Sequence, residues 1–421
     1  MPFKHILKVA NPSPYERSDY VEIDDLDALG VPSALDDANL QLIRQLPQGP
    51  REEVAFQIDH PFGRRAGYRT LTFFSSNTPP GDPDYRQHTA EFSLEEGTPH
   101  DVSSAVSPDI LNVEHYSAPG VHQETWDPAI DVAGVELANG PDGLQVYFSL
   151  VPRPQPQSPF NYSGAVTSIQ QQRASHMTGA GEFLAPYHVS PQKCWGQLTR
   201  LDFFPLPWER RCYQEESLLG QAGNEPRYTL VWSKAGPLRA TVTLKSEPIK
   251  VQYVFEPFFK PDVKELTCHL YRIISMYPNK EFYAEQLIVR PGGEGLDPRR
   301  RFSLAFRAHY YSHLAYPEEC PHQLARSEQI PDYFAVWKSF AVQHRGFTFA
   351  SDSHVRALKV TPSEIRWRLQ FGHEHRCVHL FPFHCWPEEG LAPSHEVGHT
   401  AWYERLWKPL QALPLNRYQA P

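Results

Sequence analysis

A run of histidines near residue 375 is the feature of this sequence best suited to chemistry. His373, His375, Cys377 and His379 occupy alternate positions of the segment 371–381. Alternate side chains of a β-strand point to one face of a sheet, so a strand here would present these imidazoles and the thiol in a row. Such groups ligate divalent metals, and His373, His375 and His379 are predicted metal ligands, with zinc or calcium as the ion. Acid–base groups and a polar-ligand surface are the alternatives.

A second histidine pair follows at once, in His395-Glu-Val-Gly-His399, which matches the H-E-x-x-H pattern of zinc peptidases. In those enzymes the motif lies on a helix, so that both imidazoles share one face. Gly398 lies inside the motif and Pro393 precedes it, and both disfavour a helix here. The sequence therefore favours a chance match over a peptidase site.

Composition favours an all-β protein. The 421 residues include 41 prolines, and aromatic residues make up 13%. Proline is excluded from helix interiors and central strands, so many short strands joined by structured loops are expected. Aromatic side chains fill the core between sheets, and some stack on sugars; Trp195 is a candidate for such a contact.

Charge and terminal sequence limit the function classes. The net charge of −9 without a basic block argues against nucleic-acid binding. The N-terminus lacks the apolar run of a signal peptide, and no stretch is as apolar as a membrane span. We therefore expect no membrane partner and a cytoplasmic location, or a secreted or periplasmic one if a signal has been removed.

Strands are predicted along most of the chain, and helices at only two places. Asp36–Leu46 and Trp402–Leu413 carry a helical period. Segments that alternate or are rich in β-branched and aromatic residues are predicted as strands: Arg69–Phe74, Leu144–Val151, Tyr228–Trp232, Leu238–Leu244, Lys250–Phe255, Phe282–Val289, Arg301–Phe306 and Glu364–Leu369.

The order of these segments predicts three regions. Residues 1–98 form a small N-terminal β-module, and residues 99–131 form a polar connector. Residues 132–421 form a large antiparallel β-sandwich of the supersandwich kind, with a C-terminal tail that packs back through Trp402 and Trp407.

Two groups of phrases resemble carbohydrate-active families. Val54-Ala-Phe-Gln-Ile-Asp59 followed by Leu71-Thr-Phe-Phe74 looks like the small β-module of the exo-rhamnogalacturonan-lyase-like proteins. Ala235-Gly-Pro-Leu-Arg-Ala-Thr-Val242 and Leu270-Tyr-Arg-Ile-Ile-Ser-Met-Tyr277 resemble the galactose-mutarotase-like β-sandwich of polysaccharide lyases. The larger lyases also carry a helical toroid, for which this chain has no room.

The resemblance implies a carbon–oxygen lyase that cleaves a uronate-containing glycan by β-elimination. Elimination needs a base, an acid and a cation that neutralises the uronate carboxylate, which are roles for His, Tyr and Arg. The candidates are residues of these types in loops and at strand ends. The predicted catalytic residues are His60, Tyr187, His188, Tyr310 and His313, and the predicted substrate-binding residues are Arg64, Arg239, Arg272 and Trp195.

Two alternatives remain open at this point. A glycoside hydrolase on the same scaffold would use a pair of carboxylates, for which Asp127, Glu136, Glu285 and Asp352 are candidates. A non-catalytic carbohydrate-binding protein would use the aromatic and histidine residues as a surface. Elimination creates a conjugated double bond, hydrolysis creates a reducing end, and binding creates neither.

Overall fold

The computed structural model describes the backbone of every strand given below and the side chains of part of the chain. Those side chains belong to residues 3–11, 16–23, 25–26, 29–32, 35–46, 49–63, 68–80, 90–98, 134–138, 146, 148, 150, 228–249, 267–278, 286, 288 and 290.

Strands follow one another along the described chain. The first are β1 Lys4–Ala10, β2 Arg17–Ile23, β3 Leu40–Gln45, β4 Glu52–Val54, β5 Phe56–Asp59, β6 Thr70–Thr78 and β7 Ala90–Glu96. Next come β8 Leu111–Ala118, β9 Val121–Gln123, β10 Gly134–Asn139, β11 Leu144–Ser149, β12 Ala165–Ala174, β13 Gly181–Phe183, β14 Tyr187–His188, β15 Leu198–Phe203 and β16 Cys212–Ser217. The remainder are β17 Tyr228–Ala235, β18 Ala240–Ser246, β19 Ile249–Phe255, β20 Asp262–Met276, β21 Tyr283–Pro291, β22 Arg301–Arg307, β23 His313–Ala315, β24 Tyr333–Phe340, β25 Gln343–Ala350, β26 Val355–Val360, β27 Glu364–Gln370, β28 His379–Cys385 and β29 Leu410–Pro414.

The predicted all-β class is confirmed. Within the described residues the helical structure is a single 3-10 turn, Asp37–Asn39. The eight strands of the first sheet run in the order β4-β3-β7-β1-β29-β2-β6-β5, and β2 and β29 are a parallel pair. Most other neighbours are antiparallel, as β1 with β7 and β5 with β6 show.

The first sheet buries one face. In β2 the residues Asp19, Val21 and Ile23 are buried while those between them are less so, which is the period of two that a half-buried strand requires. The rings of Phe73 and Phe92 lie 4.8 Å apart. Their strands, β6 and β7, are separated in the sheet by β1, β29 and β2, so the sheet curls around its core. That core includes Leu7, Val9, Val21, Leu26, Leu40, Leu42, Leu71, Phe73, Phe92 and Leu94.

Three further sheets contain the other strands. A seven-stranded sheet runs β13-β12-β11-β10-β8-β9, with β14 paired to β12. A four-stranded sheet runs β15-β22-β27-β26. A ten-stranded sheet runs β16-β19-β20-β21-β28-β25-β24-β23, with β18 beside β20 and β17 beside β18. Within β18 both faces are buried, because Ala240 to Leu244 are all inaccessible, and this is the pattern of a central strand.

The chain divides into two compact units. The first unit comprises 1–111, 232–240 and 395–421, and the second comprises 112–231 and 241–394. The C-terminal strand β29 pairs with β1 and β2, so its backbone hydrogen bonds place it in the first sheet. The sequence pattern instead predicts that these C-terminal residues belong to the region 132–421. The predicted boundaries at 98 and 131 stay predictions.

Both predicted helices are wrong where the structure describes them. Asp36 accepts a hydrogen bond from the Ala38 amide and caps only the 3-10 turn, after which residues 40–45 are the strand β3. Pairing of β3 with β7 buries Leu40 and Leu42, and these long-range contacts override a short helical period. The end of the second predicted helix is likewise a strand, β29, and residues 402–409 lie outside the described part.

Candidate functional site

His60 is the one predicted catalytic residue whose side chain the structure describes, and it pairs with a carboxylate. Its Nε2 lies 2.8 Å from Asp37 Oδ2, across 23 residues of sequence. His60 directly follows β5, and Asp37 opens the 3-10 turn. A carboxylate can only accept a hydrogen bond, so Nε2 of His60 is the donor. In the neutral form of the ring, Nδ1 then carries no proton and can only accept. Nδ1 is buried and has no partner in the described structure.

Arg69 fixes the segment that carries Asp37. Its Nη2 donates to the carbonyl oxygens of Val31 at 3.2 Å and Pro32 at 3.1 Å. Its Nη1 donates to the carbonyl of Leu35 at 3.3 Å and to Asp37 Oδ1 at 3.4 Å. The loop before the 3-10 turn is therefore wrapped around one buried guanidinium, and the Asp37 carboxylate bridges Arg69 and His60.

Asp37 is the more accessible member of this pair. Its side chain is 27% exposed, whereas that of His60 is 12% exposed. A ligand would therefore meet the carboxylate first, with the imidazole behind it. Oδ1 accepts from Arg69 and Oδ2 pairs with His60, and each oxygen keeps a further lone pair with which it could accept a proton from water or a hydroxyl group. Sequence analysis missed Asp37, because nothing in the local pattern marks it as the partner of His60.

Arg239, a predicted substrate-binding residue, lies in a buried network of the first unit. Its Nε and Nη2 donate to Asp59 Oδ2 at 2.9 and 2.7 Å. Its Nη1 donates to Glu22 Oε1 at 2.6 Å, and Nη2 also donates to Thr70 Oγ1 at 2.6 Å. The Asp59 side chain is fully inaccessible and that of Arg239 is 4% exposed. A substrate carboxylate would have to displace these partners, so the contacts favour a structural role for Arg239.

Gln57 completes that network through the backbone. Its Oε1 accepts from the Leu238 and Arg239 amides, both at 3.1 Å, and its Nε2 donates to the Arg239 carbonyl at 2.8 Å. Nε2 also donates to Asp59 Oδ1 at 2.9 Å. A Cβ added at Gly236 would clash with the side-chain amide of Gln57, which is buried and held by its hydrogen bonds, so glycine suits the close approach of the turn 236–239 to this side chain.

Arg272, the other predicted substrate-binding arginine described here, is buried in the second unit. Its guanidinium carbon lies 5.8 Å from the centroid of the Phe148 ring and 5.7 Å from that of Tyr228. The residue is 3% exposed. Aromatic rings attract a guanidinium through their quadrupoles, so Arg272 too serves the interior of its unit.

Arg272 lies on β20, and the opposite face of the sheet at this strand carries a cluster that the sequence did not reveal, formed by Lys245, His269, Tyr271 and Arg290. Lys245 Nζ lies 5.8 Å from the Tyr271 ring centroid, and the Arg290 guanidinium carbon lies 5.6 Å from it. His269 pairs directly across from Arg290 in the ladder between β20 and β21. The four residues are neither fully buried nor fully exposed. They lie on three strands, and only the pairing of β18, β20 and β21 brings them together, which no spacing in the sequence reveals.

The structure gives backbone positions for some of the other predicted residues. Tyr187 and His188 form β14 and pair with β12, His313 begins β23, and His379 begins β28 opposite Gln286 and Ala350. Among the hydrolase candidates, Glu136 is half-buried in β10, and Glu285 lies in β21. Arg64, Asp127, Trp195, Tyr310, Asp352, His373 and His375 lie outside the described residues, as does the H-E-x-x-H segment.

Metal ligation stays a prediction for the histidine run. Among the side chains that the structure describes, no group of three His, Cys, Asp or Glu residues is placed to hold an ion. Burial raises the pKa of the Cys268 thiol to about 12, so this cysteine stays protonated and is suited neither to ligation nor to nucleophilic attack. No helix in the described part is long and apolar enough to cross a membrane.

Comparison with known proteins gives no family. Neither a family model nor a curated protein matches the chain. Among solved structures it is similar to a protein in the Glycosyl Hydrolase Family 38 from Enterococcus faecalis, with a TM-score of 0.46 and 14% identity over 97% of this chain and 47% of that one. It is also similar to an alpha-mannosidase from Enterococcus faecalis V583, with a TM-score of 0.41 and 12% identity over 97% of this chain and 46% of that one. The chain thus spans about half the length of the solved structures it matches.

Proposed function

We propose that this chain is a carbohydrate-active enzyme that cleaves a glycosidic bond by hydrolysis, with Asp37 as a general base. The observation that carries the proposal is the partly exposed Asp37 carboxylate, held between Arg69 and His60. Support for a saccharide as substrate comes from the sequence resemblance of residues 54–74 and 235–277 to carbohydrate-active families, together with the all-β architecture.

The two candidate arginines whose side chains the structure describes favour hydrolysis over elimination, and the third, Arg64, lies outside the described residues. Elimination needs a cation that is free to neutralise the substrate carboxylate. Arg239 is engaged by Asp59 and Glu22, and Arg272 is enclosed by two aromatic rings. Hydrolysis makes no such demand, since a carboxylate that accepts a proton from water is sufficient on the base side.

The chemical step assigns a role to each group of the pair. In this scheme the Asp37 carboxylate accepts a proton from the water that attacks the anomeric carbon. The bond from that carbon to the leaving oxygen breaks, and the oxygen takes a proton from an acid on the other side of the sugar. His60 does not touch substrate in this scheme. It orients the carboxylate through Nε2 and is a positioning residue.

Product analysis of the full chain tests the reaction type. The protein is incubated with a panel of neutral and uronate-containing glycans, and reducing ends and ultraviolet absorbance are followed in parallel. Hydrolysis predicts reducing ends without new absorbance. Absorbance that grows with the reducing ends would establish elimination and overturn the proposal. Binding of a glycan without either product would show a carbohydrate-binding protein instead.

A further inference from the structure

The four-stranded sheet β15-β22-β27-β26, which belongs to the second unit, has one apolar and one charged face. The register of its strands assigns alternate residues to the same face. One face carries the apolar residues Leu201, Phe203, Phe302, Leu304, Phe306, Leu358, Val360, Ile365, Trp367 and Leu369. Among the positions that these registers define, the other face carries six cations and two acids, which are Arg200, Arg301, Arg307, Lys359, Arg366 and Arg368, with Asp202 and Glu364. This alternation is typical of a sheet that packs against a core on one side only.

Positive residues occupy adjoining positions on the charged face. Lys359 of β26 pairs directly with Arg366 of β27. Arg366 also pairs with Ala305 of β22, which in turn pairs with Arg200 of β15. Neighbouring strands lie about 4.8 Å apart, so this row crosses the whole sheet over about 14 Å. Arg368 lies two residues along β27 from Arg366, which is about 7 Å on the same face.

The acidic residues of this face are fewer than its cations. Glu364 pairs directly with Arg307, and Asp202 lies two positions from Arg200 on β15. These acids can match two cations of the face, and those in excess are Arg301, Lys359, Arg366 and Arg368. The pairing of four strands thus gathers positive charge on one face, although the chain as a whole carries a net charge of −9.

Sheet stability alone does not account for Lys359 opposite Arg366. Like charges at directly opposite positions of a ladder destabilise the pairing of the strands. A negatively charged ligand along the row would relieve this repulsion and would add charge-assisted hydrogen bonds, which are stronger than neutral ones. Because the row crosses four strands, it fits an extended chain with repeated negative charges better than a single anion.

We infer that the charged face of this sheet binds an acidic saccharide chain through its carboxylate groups, with Lys359, Arg366 and Arg368 as the central contacts. The saccharide class of the ligand rests on the proposed function, and its negative charge rests on the register of the four strands. The planar fork of an arginine matches a carboxylate with two parallel hydrogen bonds, and a lysine adds a point charge. This surface holds the glycan and takes no part in the chemical step assigned to Asp37.

Isothermal titration calorimetry on the full chain tests the inference. The probes are an oligogalacturonate and its methyl ester, which has the same sugar backbone without the charge, and the wild type is expected to bind the acid more tightly. The double variant Lys359→Gln with Arg366→Gln removes one cross-strand pair of cations. Its affinity for the oligogalacturonate should fall by about tenfold or more, because two charged contacts are lost, while its affinity for the methyl ester stays unchanged.

A matched control pair lies in the ten-stranded sheet. Lys338 pairs directly with Arg345 there, and the next pair on the same face, Val336 with Phe347, is apolar. The double variant Lys338→Gln with Arg345→Gln therefore removes the same charge from the same cross-strand arrangement, but away from the charged face. It should bind the oligogalacturonate as the wild type does.

Hydrogen exchange of residues 364–370 separates binding from folding. Removal of opposed like charges relieves their repulsion, so Lys359→Gln with Arg366→Gln should keep or raise the protection of β27. Lower protection would show that the two cations support the sheet, and a loss of affinity would then carry no evidence for a ligand contact.

The inference is wrong if the wild type binds the acid and its methyl ester equally, or if the two double variants bind alike. It is also wrong if a single-stranded oligonucleotide of equal charge binds as tightly as the oligogalacturonate, since the face would then be a general polyanion surface. Failure of the proposed function is distinct. A chain that releases reducing ends but fails the binding test keeps the proposed function, and one that binds through this face without releasing them keeps this inference.

Discussion

The two units each bury an arginine, but by different means. In the first unit Arg239 is surrounded by Asp59, Glu22 and Thr70, and its positive charge is matched by carboxylates. In the second unit Arg272 lies between the rings of Phe148 and Tyr228. The contribution of an arginine in a buried ion pair to stability depends on its partner being present and charged. An arginine packed between rings also gains from apolar contact and from the ring quadrupoles, which a methionine side chain can partly replace, so the two should respond differently to the same substitution.

The largest effect is expected from Arg239→Met. Methionine is a long, flexible replacement but leaves the buried Asp59 with Lys234 as its remaining cation, whose Nζ lies 3.4 Å from Oδ1 and whose side chain is 42% exposed. Breaking the buried Arg239–Asp59 pair in this way should cost up to about 3–5 kcal/mol. Hydrogen exchange of β5 and β6 should show this loss as lower protection within the first unit. The double variant Arg239→Met with Asp59→Leu is the control, because removing both charges should restore part of the stability. Equal destabilisation in the single and double variants would contradict the ion-pair account.

A smaller effect is expected from Arg272→Met. Thioethers pack well against aromatic rings, so much of the contact with Phe148 and Tyr228 is kept and the loss of stability should be smaller than that from Arg239→Met. Hydrogen exchange of residues 267–277 measures it in the second unit. If Arg272→Met destabilises its unit as much as Arg239→Met destabilises the first, the distinction between the two arginines fails.

The smallest effect concerns an ion cluster at the surface of the first sheet. Partial burial tends to raise the pKa of Glu95, but hydrogen bonds from Lys4, Arg51 and Ser93 outweigh it and hold the pKa at about 2. A carboxyl with a depressed folded pKa adds stability above its unfolded pKa, and this stability is lost as the pH falls through the folded value.

Glu95→Gln should therefore remove a stability increment that is present at neutral pH and disappears between about pH 4.5 and about pH 2. Urea unfolding midpoints of the wild type and the variant, measured across this range, should converge at the acid end. Midpoints that stay parallel across the range would show that Glu95 does not contribute through its charge. High salt should shrink the difference, since these side chains are in contact with solvent.

The sequence predicted the fold class and many strands because alternation is a local property. The predicted strands Arg301–Phe306 and Glu364–Leu369 agree with β22 and β27 to within one residue. Residues 40–45 were assigned to a helix because Leu40, Ile43 and their neighbours fit either period over a short run. Residues 40–45 form a strand because they pair with β7, which is distant in sequence, and a local pattern does not show that pairing.

The candidate site was predicted only in part for the same reason. His60 could be singled out by its residue type and its place after a strand. Asp37 could not, because it meets His60 through the loop that Arg69 holds in place. The cluster of Lys245, Tyr271 and Arg290 depends on the register of three strands, and register is set by long-range pairing.

The most direct test of the account is the turnover of Asp37→Asn on the glycan that the wild type hydrolyses, with Asp36→Asn as the matched control. Asparagine is as good a cap as aspartate, so the control variant should keep both the 3-10 turn and wild-type turnover. Asp37→Asn removes the base and should lower kcat by about a hundredfold or more, as loss of a general base does. Equal turnover in both variants would contradict the assignment of Asp37.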